Sequence, residues 1–328
     1  MTATEMPPVA TAPRTERLTL LVRQVRLEAT GVHSYELVDP DGGALPQAAA
    51  GSHIDVHLAS GLVRQYSLAH DPAERHHYVI AVLREERGRG GSAAVHDTLH
   101  VGARVEVSAP RNAFRLAPEA RKHILIAGGI GITPLKAMHH ELAAANAHYE
   151  LHYCAKTKAH AAFADELAAA GAQFHFDGGD PRNGLDIAGL LRERPESAHV
   201  YYCGPAGFMT ACAAATAHWP KDSVHSEHFS VPTTTAATPT VTGAFTVEIA
   251  STGMRFEVGP EQSIVDVLND NGVVVETSCV SGLCGTCKVG YTAGTVEHND
   301  FILDDSERDR FLTTCVSRAS SPTLTLDL

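Results

Sequence analysis

Short apolar segments separated by turn residues fill the first third of the chain. Between residues 18 and 117, six such segments alternate apolar and polar positions or are continuously apolar, and Gly, Pro or Asp lies between them. They are LTLLVRQVRLE, HSYELVD, HIDVHL, VRQYSLA, HYVIAVLRE and RVEVSAP. Short strands at this spacing are typical of an antiparallel barrel or sandwich, so we predict an all-β domain over residues 18–117.

From His123 onward the pattern becomes an alternation of strands and helices. HILIAGG is a continuously apolar strand, and TPLKAMHHELAAA after it is a helix that places Leu135, Met138 and Leu142 near one face. Further strands are predicted at YELHYCA, QFHFDGG and HVYYCGP, with helices at AAFADELAAAG and DIAGLLRER. Strands that alternate with helices indicate a parallel sheet, which we assign to residues 118–229.

Two segments have no periodic pattern. Residues 1–17 contain three prolines and no apolar core of signal-peptide length, so we interpret them as a disordered tail. Residues 230–243, SVPTTTAATPTVTG, are uncharged and rich in Thr, Pro and Ala, which is typical of a linker. After this linker we predict a third domain, residues 244–328, with a hairpin at FTVEIASTGMRFEV and a helix at SIVDVLNDNG.

The charge of the chain excludes several classes of partner. The 328 residues carry 26 basic and 38 acidic side chains, a net charge of −12, whereas proteins that bind nucleic acid or anionic membranes need a basic face. About −8 of this charge belongs to residues 244–328. No run of about 18 apolar residues occurs, so no membrane span is expected. Because no signal peptide is recognised, we expect a cytoplasmic protein with reduced thiols.

Three of the seven cysteines lie within the nine residues CVSGLCGTC. Cys279, Cys284 and Cys287 have the spacing C-x4-C-x2-C, and Cys315 follows 28 residues after Cys287. This is the ligand spacing of plant-type ferredoxins, in which four thiolates hold a [2Fe–2S] cluster. The alternatives are chance spacing and a structural zinc site, but zinc ribbons favour paired C-x2-C knuckles and only one such pair is present.

The glycines of this loop fit the cluster interpretation. Gly282 and Gly285 would let the backbone turn its N–H groups toward the sulfur atoms, because glycine tolerates positive φ. The other three cysteines show no ligand spacing, and we expect Cys154 and Cys212 to be core residues.

IAGGIGITPL joins a buried strand to a helix. Thr133 can cap that helix and Pro134 suits its first turn, so that the exposed N–H groups and the helix dipole form an anion site apt for a pyrophosphate. Pro134 stands where the third glycine of G-x-G-x-x-G would be, and a plain strand-to-helix connection is equally compatible. YYCGPAGFM ends a second strand in a glycine turn, and two such turns at the carboxyl ends of strands can flank one ligand.

The predicted all-β domain contains a basic stretch. VRQYSL places Arg64 and Tyr66 on one face of a strand, and VLREERGRGGS follows with Arg84 and a glycine-rich turn that ends at Ser92. An arginine, an aromatic plane, a hydroxyl and a glycine turn suit a phosphorylated ring ligand. A solvated strand with a polar turn is the alternative.

Together these segments resemble the phthalate dioxygenase reductase family, a branch of the ferredoxin-NADP reductase-like flavoproteins to which vanillate demethylase reductases also belong. The resemblance covers residues 18–328. It implies an antiparallel β-barrel flavin domain, an α/β parallel-sheet nucleotide-binding domain and an α+β β-grasp ferredoxin domain, in that order.

RQYSL resembles the family's R-x-Y-S-[LV] flavin signature, and GRGGS resembles its second flavin stretch. The resemblance implies that Arg64 contacts the flavin phosphate, that Tyr66 lies against the isoalloxazine and that Ser67 lies near flavin N5. The other flavin-binding residues that it implies are Leu68, Arg84, Gly90, Gly91 and Ser92. A ferredoxin domain at the carboxyl end implies FMN rather than FAD.

GGIGITP resembles the family's pyrophosphate turn, and CGP resembles the strand end beside the nicotinamide. The residues implied are Gly128, Gly129, Gly131, Thr133, Pro134, Cys203, Gly204 and Pro205. Phe229 in SEHF lies where the family often has an aromatic residue that shields the flavin, so Ser67, Cys203 and Phe229 would surround the reacting rings. Relatives often have Arg near the adenosine ribose, where this chain has AKTK with Lys156 and Lys158; NADH is expected and NADPH stays open.

The resemblance implies that electrons pass from NAD(P)H through FMN to a cluster held by Cys279, Cys284, Cys287 and Cys315, and then to a Rieske-type oxygenase of an aromatic hydroxylase or O-demethylase system. The chain is not that oxygenase, because a Rieske centre needs two histidine ligands and no C-x-H occurs. Most of the 20 histidines are expected on the surface. The alternatives are an electron carrier or redox sensor with a non-oxygenase partner and a flavin reductase that releases its flavin. We expect a monomer.

Overall fold

The computed structural model describes residues 17–230, apart from Arg87 and Arg89, and residues 243–328. The chain divides into two compact units, one formed by Glu16–Ser230 and one that contains Val231–Leu328. The predicted tail up to residue 16 and the predicted linker from 231 to 242 lie outside the described residues. Within the described ranges, no helix is long and apolar enough to cross a membrane.

The first unit begins with the six predicted antiparallel strands. They are β1 (Arg17–Ala29), β2 (Val32–Val38), β3 (Ser52–His57), β4 (Val63–Ser67), β5 (Tyr78–Leu83) and β6 (Arg104–Ser108), and the short β7 (Arg111–Asn112) pairs with β3. The order across the sheet is β4-β3-β6-β1-β2-β5. An antiparallel bridge between Leu68, just after β4, and Ile80 on β5 joins the two edges, so the sheet closes into a barrel rather than a sandwich.

Alternation along the strands fills the barrel. Leu20 and Val22 on β1 and Ile54 and Val56 on β3 are at most 1% exposed, because every second side chain of a strand points to the same face. The pattern did not predict helix α1 (Gly91–Thr98), which follows β5 and buries Val95 in the barrel core.

The second half of this unit contains the predicted parallel sheet, together with one strand (Val224–Glu227) and one helix (Ala206–Ala215) that the pattern did not predict. Its strands are β8 (Lys122–Gly128), β9 (Tyr149–Ala155), β10 (Gln173–Phe176), β11 (Ala198–Cys203) and β12 (Val224–Glu227), in the order β10-β9-β8-β11-β12. Its helices are α2 (Ile132–Ala144), α3 (Ala164–Ala169), α4 (Ile187–Leu190) and α5 (Ala206–Ala215). Leu135 and Met138 of α2 pack with Leu125 on one face, and Met209 of α5 packs with Ile126 on the other.

The predicted cap of α2 is wrong. Thr133 is the second residue inside the helix, and its Oγ1 donates to the carbonyl of Ile130 at 3.1 Å instead of capping. A 3-10 turn over Gly129–Gly131 leads directly into α2, which therefore begins two residues earlier than a Thr133 cap would allow. Pro134 does lie in the first turn, as predicted.

Within the described part of the chain six histidines are buried, so the expectation that most of the 20 lie on the surface is wrong for these six. The buried ones among the described residues are His53, His70, His123, His139, His152 and His199. Several pair across adjacent parallel strands: His199 Nδ1 lies 3.0 Å from His225 Nε2. Burial lowers the pKa of His225 to about 4, so its ring is neutral at physiological pH and packs flat against Tyr201.

The described part of the second unit contains a mixed sheet that packs against a seven-residue helix. The strands are β13 (Phe245–Ile249), β14 (Arg255–Val258), β15 (Lys288–Ala293), β16 (Val296–Glu297), β17 (Phe311–Thr313), β18 (Arg318–Ala319) and β19 (Thr323–Asp327). The order is β14-β13-β19-β15-β17, with β16 and β18 paired separately. The predicted hairpin is β13–β14, and the predicted helix is α6 (Ile264–Asp270), capped by Ser263; α7 (Asp305–Arg308) is a single turn.

Candidate redox site

The candidate site begins where β4 passes the amino end of α1. Arg64 lies directly over Gly91, because a Cβ on Gly91 would come within 2.2 Å of Arg64 Nε. Gly90, just before the helix, has a φ of +75°, a conformation that favours glycine. The first turn of α1 has no acidic side chain. A guanidinium beside a helix amino end suits a phosphate, since the N–H groups, the dipole and the cation all favour an anion.

Ser92 and Arg84, which the resemblance also implied at the flavin phosphate, hydrogen-bond to other groups of the protein. Ser92 Oγ accepts the backbone N–H of Glu85 at 3.0 Å, which fixes the turn before α1. Arg84 donates to Asp97 at 2.6 Å and to Glu86 at 2.7 Å. Since Asp97 is near the carboxyl end of α1, the charge of Arg84 is paired away from the Arg64–Gly91 contact, and its role at the phosphate stays a prediction.

The residues of β4 that follow Arg64 are held by contacts with the barrel core. Tyr66 packs against the barrel core, and burial raises the pKa of its hydroxyl, which is therefore neutral. Leu68 is 1% exposed and forms the bridge that closes the barrel. These contacts on either side hold Ser67 in one position.

The two glycine turns of the parallel sheet touch each other. A Cβ on Gly131 would lie 2.2 Å from the carbonyl oxygen of Cys203, and a Cβ on Gly204 would lie 3.0 Å from the Cα of Gly128. Gly129 between them has a φ of +55°. The two turns therefore lie together at one edge of the sheet, and glycine is required there because the backbones are in contact; that they flank one ligand stays a prediction. Pro205 and Phe208 pack on Gly128, beside the contact between the two turns.

A carboxylate that the sequence reasoning missed joins the barrel to the parallel sheet. Ser67 Oγ donates to Glu227 Oε2 at 3.0 Å. Glu227 is the last residue of β12, and Cys203, its Cα partner, is the last residue of β11. Burial raises the pKa of Glu227 to about 7, although the hydrogen bond from Ser67 acts in the opposite direction. Because the pattern did not predict the strand Val224–Glu227, it did not indicate that this carboxylate lies at the carboxyl end of a parallel strand.

Cys203 pairs with Glu227 across the two strands, and Phe229 follows Glu227 by two residues. Burial, and then the charge of Glu227, raise the pKa of the Cys203 thiol well above its usual value, so the thiol is neutral and not a nucleophile. Phe229 follows β12 by two residues and is 44% exposed, which leaves an aromatic face available to a ring. The structure thus brings Ser67, Cys203 and Glu227 together and leaves the shielding role of Phe229 a prediction.

The four predicted ligand cysteines form two pairs. Cys287 Sγ lies 3.1 Å from Cys315 Sγ, and the thiol of Cys284 hydrogen-bonds to Cys279. Among the described residues, no three Cys, His, Asp or Glu side chains converge on a single metal ion. Two irons that each take two protein thiolates fit these two pairs.

The loop from Cys279 to Cys287 has the positive φ angles that were predicted for its two glycines. Gly282 and Gly285 both have a φ of +72°, and a Cβ on Gly282 would come within 3.0 Å of the Cα of Asp300. The N–H of Leu283 donates to Cys279 Sγ at 3.3 Å, and that of Thr286 donates to Cys284 Sγ at 3.4 Å. Backbone donors aimed at sulfur stabilise thiolates, so the loop fits a [2Fe–2S] cluster.

The two remaining cysteines are unsuited to redox chemistry. Cys212 is buried and Cys154 is half-buried, and burial raises the pKa of each thiol to about 12. Both therefore stay protonated, in agreement with the prediction that they are inert.

Comparison with known proteins gives the same assignment. Residues 247–320 match the model of the 2Fe-2S iron-sulfur cluster binding domain. The reductase subunit of tert-butanol monooxygenase / tert-amyl alcohol desaturase from Aquincola tertiaricarbonis is 51% identical, over 95% of this chain and 96% of that protein. A vanillate O-demethylase oxidoreductase from Pseudomonas sp. is 44% identical, over 94% and 99%. The solved phthalate dioxygenase reductase is 40% identical with a TM-score of 0.70, over 95% and 98%.

Proposed function

Because the chain belongs to the phthalate dioxygenase reductase family, we propose that it is the reductase component of a Rieske-type oxygenase system. Members of this family are oxidoreductases that use NADH, FMN and a [2Fe–2S] cluster. The Rieske type of the partner and the roles of individual residues below are the proposal.

The hydrogen bond between Ser67 and Glu227 is the observation that carries the assignment of the site. It joins the strand that we assign to FMN with the strand end that we assign to the nicotinamide, across a separation of 160 residues. Ser67, Glu227 and Cys203 are therefore neighbours, which supports the proposal that the two rings that exchange a hydride would meet beside them. Reacting atoms need to approach to about 3–3.5 Å for such a transfer.

Each residue then has a separate task. Arg64 and the amino end of α1 would bind the FMN phosphate, and the turn from Gly128 to Gly131 would bind the dinucleotide's pyrophosphate. When bound, FMN takes up two electrons as a hydride and releases them singly, which couples a two-electron donor to a one-electron cluster. Ser67 would hold its hydroxyl toward the flavin ring, and Glu227, by accepting from Ser67, would set the direction of that hydroxyl.

The cluster loop would be the exit for electrons. The domain that contains this loop, residues 244–328, holds about −8 of the net charge. An acidic surface favours encounter with a basic patch on the acceptor. The named relatives serve a tert-alkyl alcohol monooxygenase and an O-demethylase. We therefore propose an oxygenase that acts on an aromatic compound or another small oxygenated organic molecule.

The test is reconstitution with purified Rieske-type oxygenases from the same genome. The full chain with NADH should support product formation at a rate proportional to the reductase added. A chain that reduces cytochrome c with NADH yet drives none of those oxygenases would refute the proposed partner. It would favour an electron carrier with a non-oxygenase acceptor. Absence of cytochrome c reduction would refute the electron path itself.

A further inference from the structure

A buried lysine joins the helix of the pyrophosphate turn to the flavin strand. Lys136, one turn into α2, is 6% exposed. Its Nζ donates to the carbonyl oxygen of Ala69 at 3.0 Å, lies 2.7 Å from Glu166 Oε1 and lies 3.1 Å from His140 Nε2. An ammonium has three donors, so each N–H has a partner. The cation also lies 5.0 Å from the centre of the Phe163 ring.

The partners of Lys136 belong to different parts of the unit. Ala69 follows Ser67 by two residues, at the exit of β4 from the barrel, whereas Glu166 lies on α3 and His140 on α2. Burial acts to raise the pKa of Glu166, but the hydrogen bond and the charge of Lys136 outweigh it and lower the pKa of this carboxyl. The ion pair therefore persists across the pH range in which the protein functions.

Stability alone is a poor explanation for this lysine. Taking an ammonium out of water is costly, and its partner Glu166 is 48% exposed, so the ion pair offsets only part of that cost. The helix also has a second attachment to the barrel, because Glu141 Oε2 accepts the N–H of Ala50 at 3.0 Å. Together the two attachments fix both the distance and the rotation of α2 relative to the barrel.

We propose that Lys136 is a positioning residue for hydride transfer, which holds the pyrophosphate turn in register with Ser67. This proposal rests on the assignment of those two elements in the proposed function. Lys136 lies four residues after Ile132, about 6 Å along the helix axis. The amino end of α2 is in turn fixed by Gly131 against Cys203. A shift of α2 by a fraction of an ångström would therefore move the nicotinamide relative to the flavin. A misplacement of about 1 Å costs on the order of a hundredfold in rate.

Stopped-flow reduction of the flavin in the full, cofactor-loaded chain tests this role. Lys136→Met should lower the limiting rate of flavin bleaching by NADH at least about tenfold. The flavin content and the Kd for NADH should stay within about twofold, because Lys136 touches neither ligand. The double variant Lys136→Met/Glu166→Gln removes both charges and should be equally slow with near wild-type thermal stability. Lys122→Met is the matched control. It also removes a lysine from an ion pair, here with Glu150 on the neighbouring strand β9, and its limiting rate of flavin bleaching should equal that of the wild type.

The outcomes separate this proposal from the proposed function. If wild-type flavin is not bleached by NADH, the proposed function fails. If the wild type is bleached and both Lys136 variants are as fast, the positioning role is refuted. It is equally refuted if the rate falls only in proportion to lost flavin or weaker NADH binding, because Lys136 would then serve folding or affinity. A larger deuterium isotope effect in the slow variants would support it.

Discussion

Replacing Glu227 by Gln should change how the stability of the first unit depends on pH. Gln keeps the shape and can still accept from Ser67 Oγ, but it cannot ionise. In the folded wild type, burial raises the pKa of Glu227 from about 4.5 to about 7. The folded state thus binds this proton more tightly than the unfolded chain does. The stabilisation that results from this tighter proton binding is complete below about pH 4.5 and is lost as the pH rises through about 7.

The size of the effect follows from the same shift. Each pKa unit corresponds to about 1.4 kcal/mol, so between pH 5 and 8 the wild type should lose about 2–3 kcal/mol relative to Glu227→Gln. For a unit of this size that is roughly 5–10 °C in melting temperature. Thermal release of flavin fluorescence at four pH values would measure it. Glu106→Gln, which replaces a carboxylate on the exposed face of β6, is the control and should follow the wild type.

A constant difference in melting temperature between Glu227→Gln and the wild type across this pH range would refute the reasoning. It would mean that Glu227 ionises in the folded chain at the same pH as in the unfolded chain. A difference that shrinks as the pH rises would have the wrong sign and would be equally decisive.

Three further results are expected. Arg64→Ala should weaken FMN binding roughly ten- to a hundredfold, since a charge-assisted hydrogen bond contributes about 1.5–3 kcal/mol; flavin retained fully through gel filtration would contradict it. Cys315→Ser should lose the two irons and two sulfides of the cluster by chemical analysis, whereas Cys212→Ser should keep them; zinc in the purified wild type would overturn the site. A chain truncated after Phe229 should still bleach its flavin with NADH and reduce ferricyanide but lose most cytochrome c reduction, and normal support of an oxygenase by the fragment would show that electrons leave elsewhere.

The regular parts of the fold were predictable because they depend on local periodicity. The strands that line the barrel have the alternation that buries Leu20 and Val22, and α2 has the spacing that buries Leu135 and Met138. Helix α1 was missed because it begins within a glycine-rich turn, which is typical of a loop and not of a helix start. The cap at Thr133 was wrong because the preceding glycines form a 3-10 turn, which depends on the close approach of Cys203 and not on the local sequence.

The site was predictable where a motif is local and not where it depends on tertiary contacts. The spacing of Cys279, Cys284 and Cys287 indicates a cluster loop by itself. The importance of Glu227 could not be inferred in this way, because its partner Ser67 is 160 residues away and belongs to another sheet. The buried histidines were misjudged for a similar reason, since His199 is accommodated by the side chain of a neighbouring strand.

The strand order of the parallel sheet has a consequence for how this reductase can diversify. The chain runs outward from β8 to β10, returns to place β11 on the other side of β8, and continues outward to β12. The helices that follow β8 and β11 pack on opposite faces, which opens a crevice at this topological switch point. The segment with Lys156 and Lys158 follows β9 on one side of the crevice, and Cys203 and Glu227 end strands on the other. With the adenosine end beside Lys156 and Lys158, as the family resemblance implies, changes that retune coenzyme preference can accumulate on one flank without disturbing the flank proposed for hydride transfer.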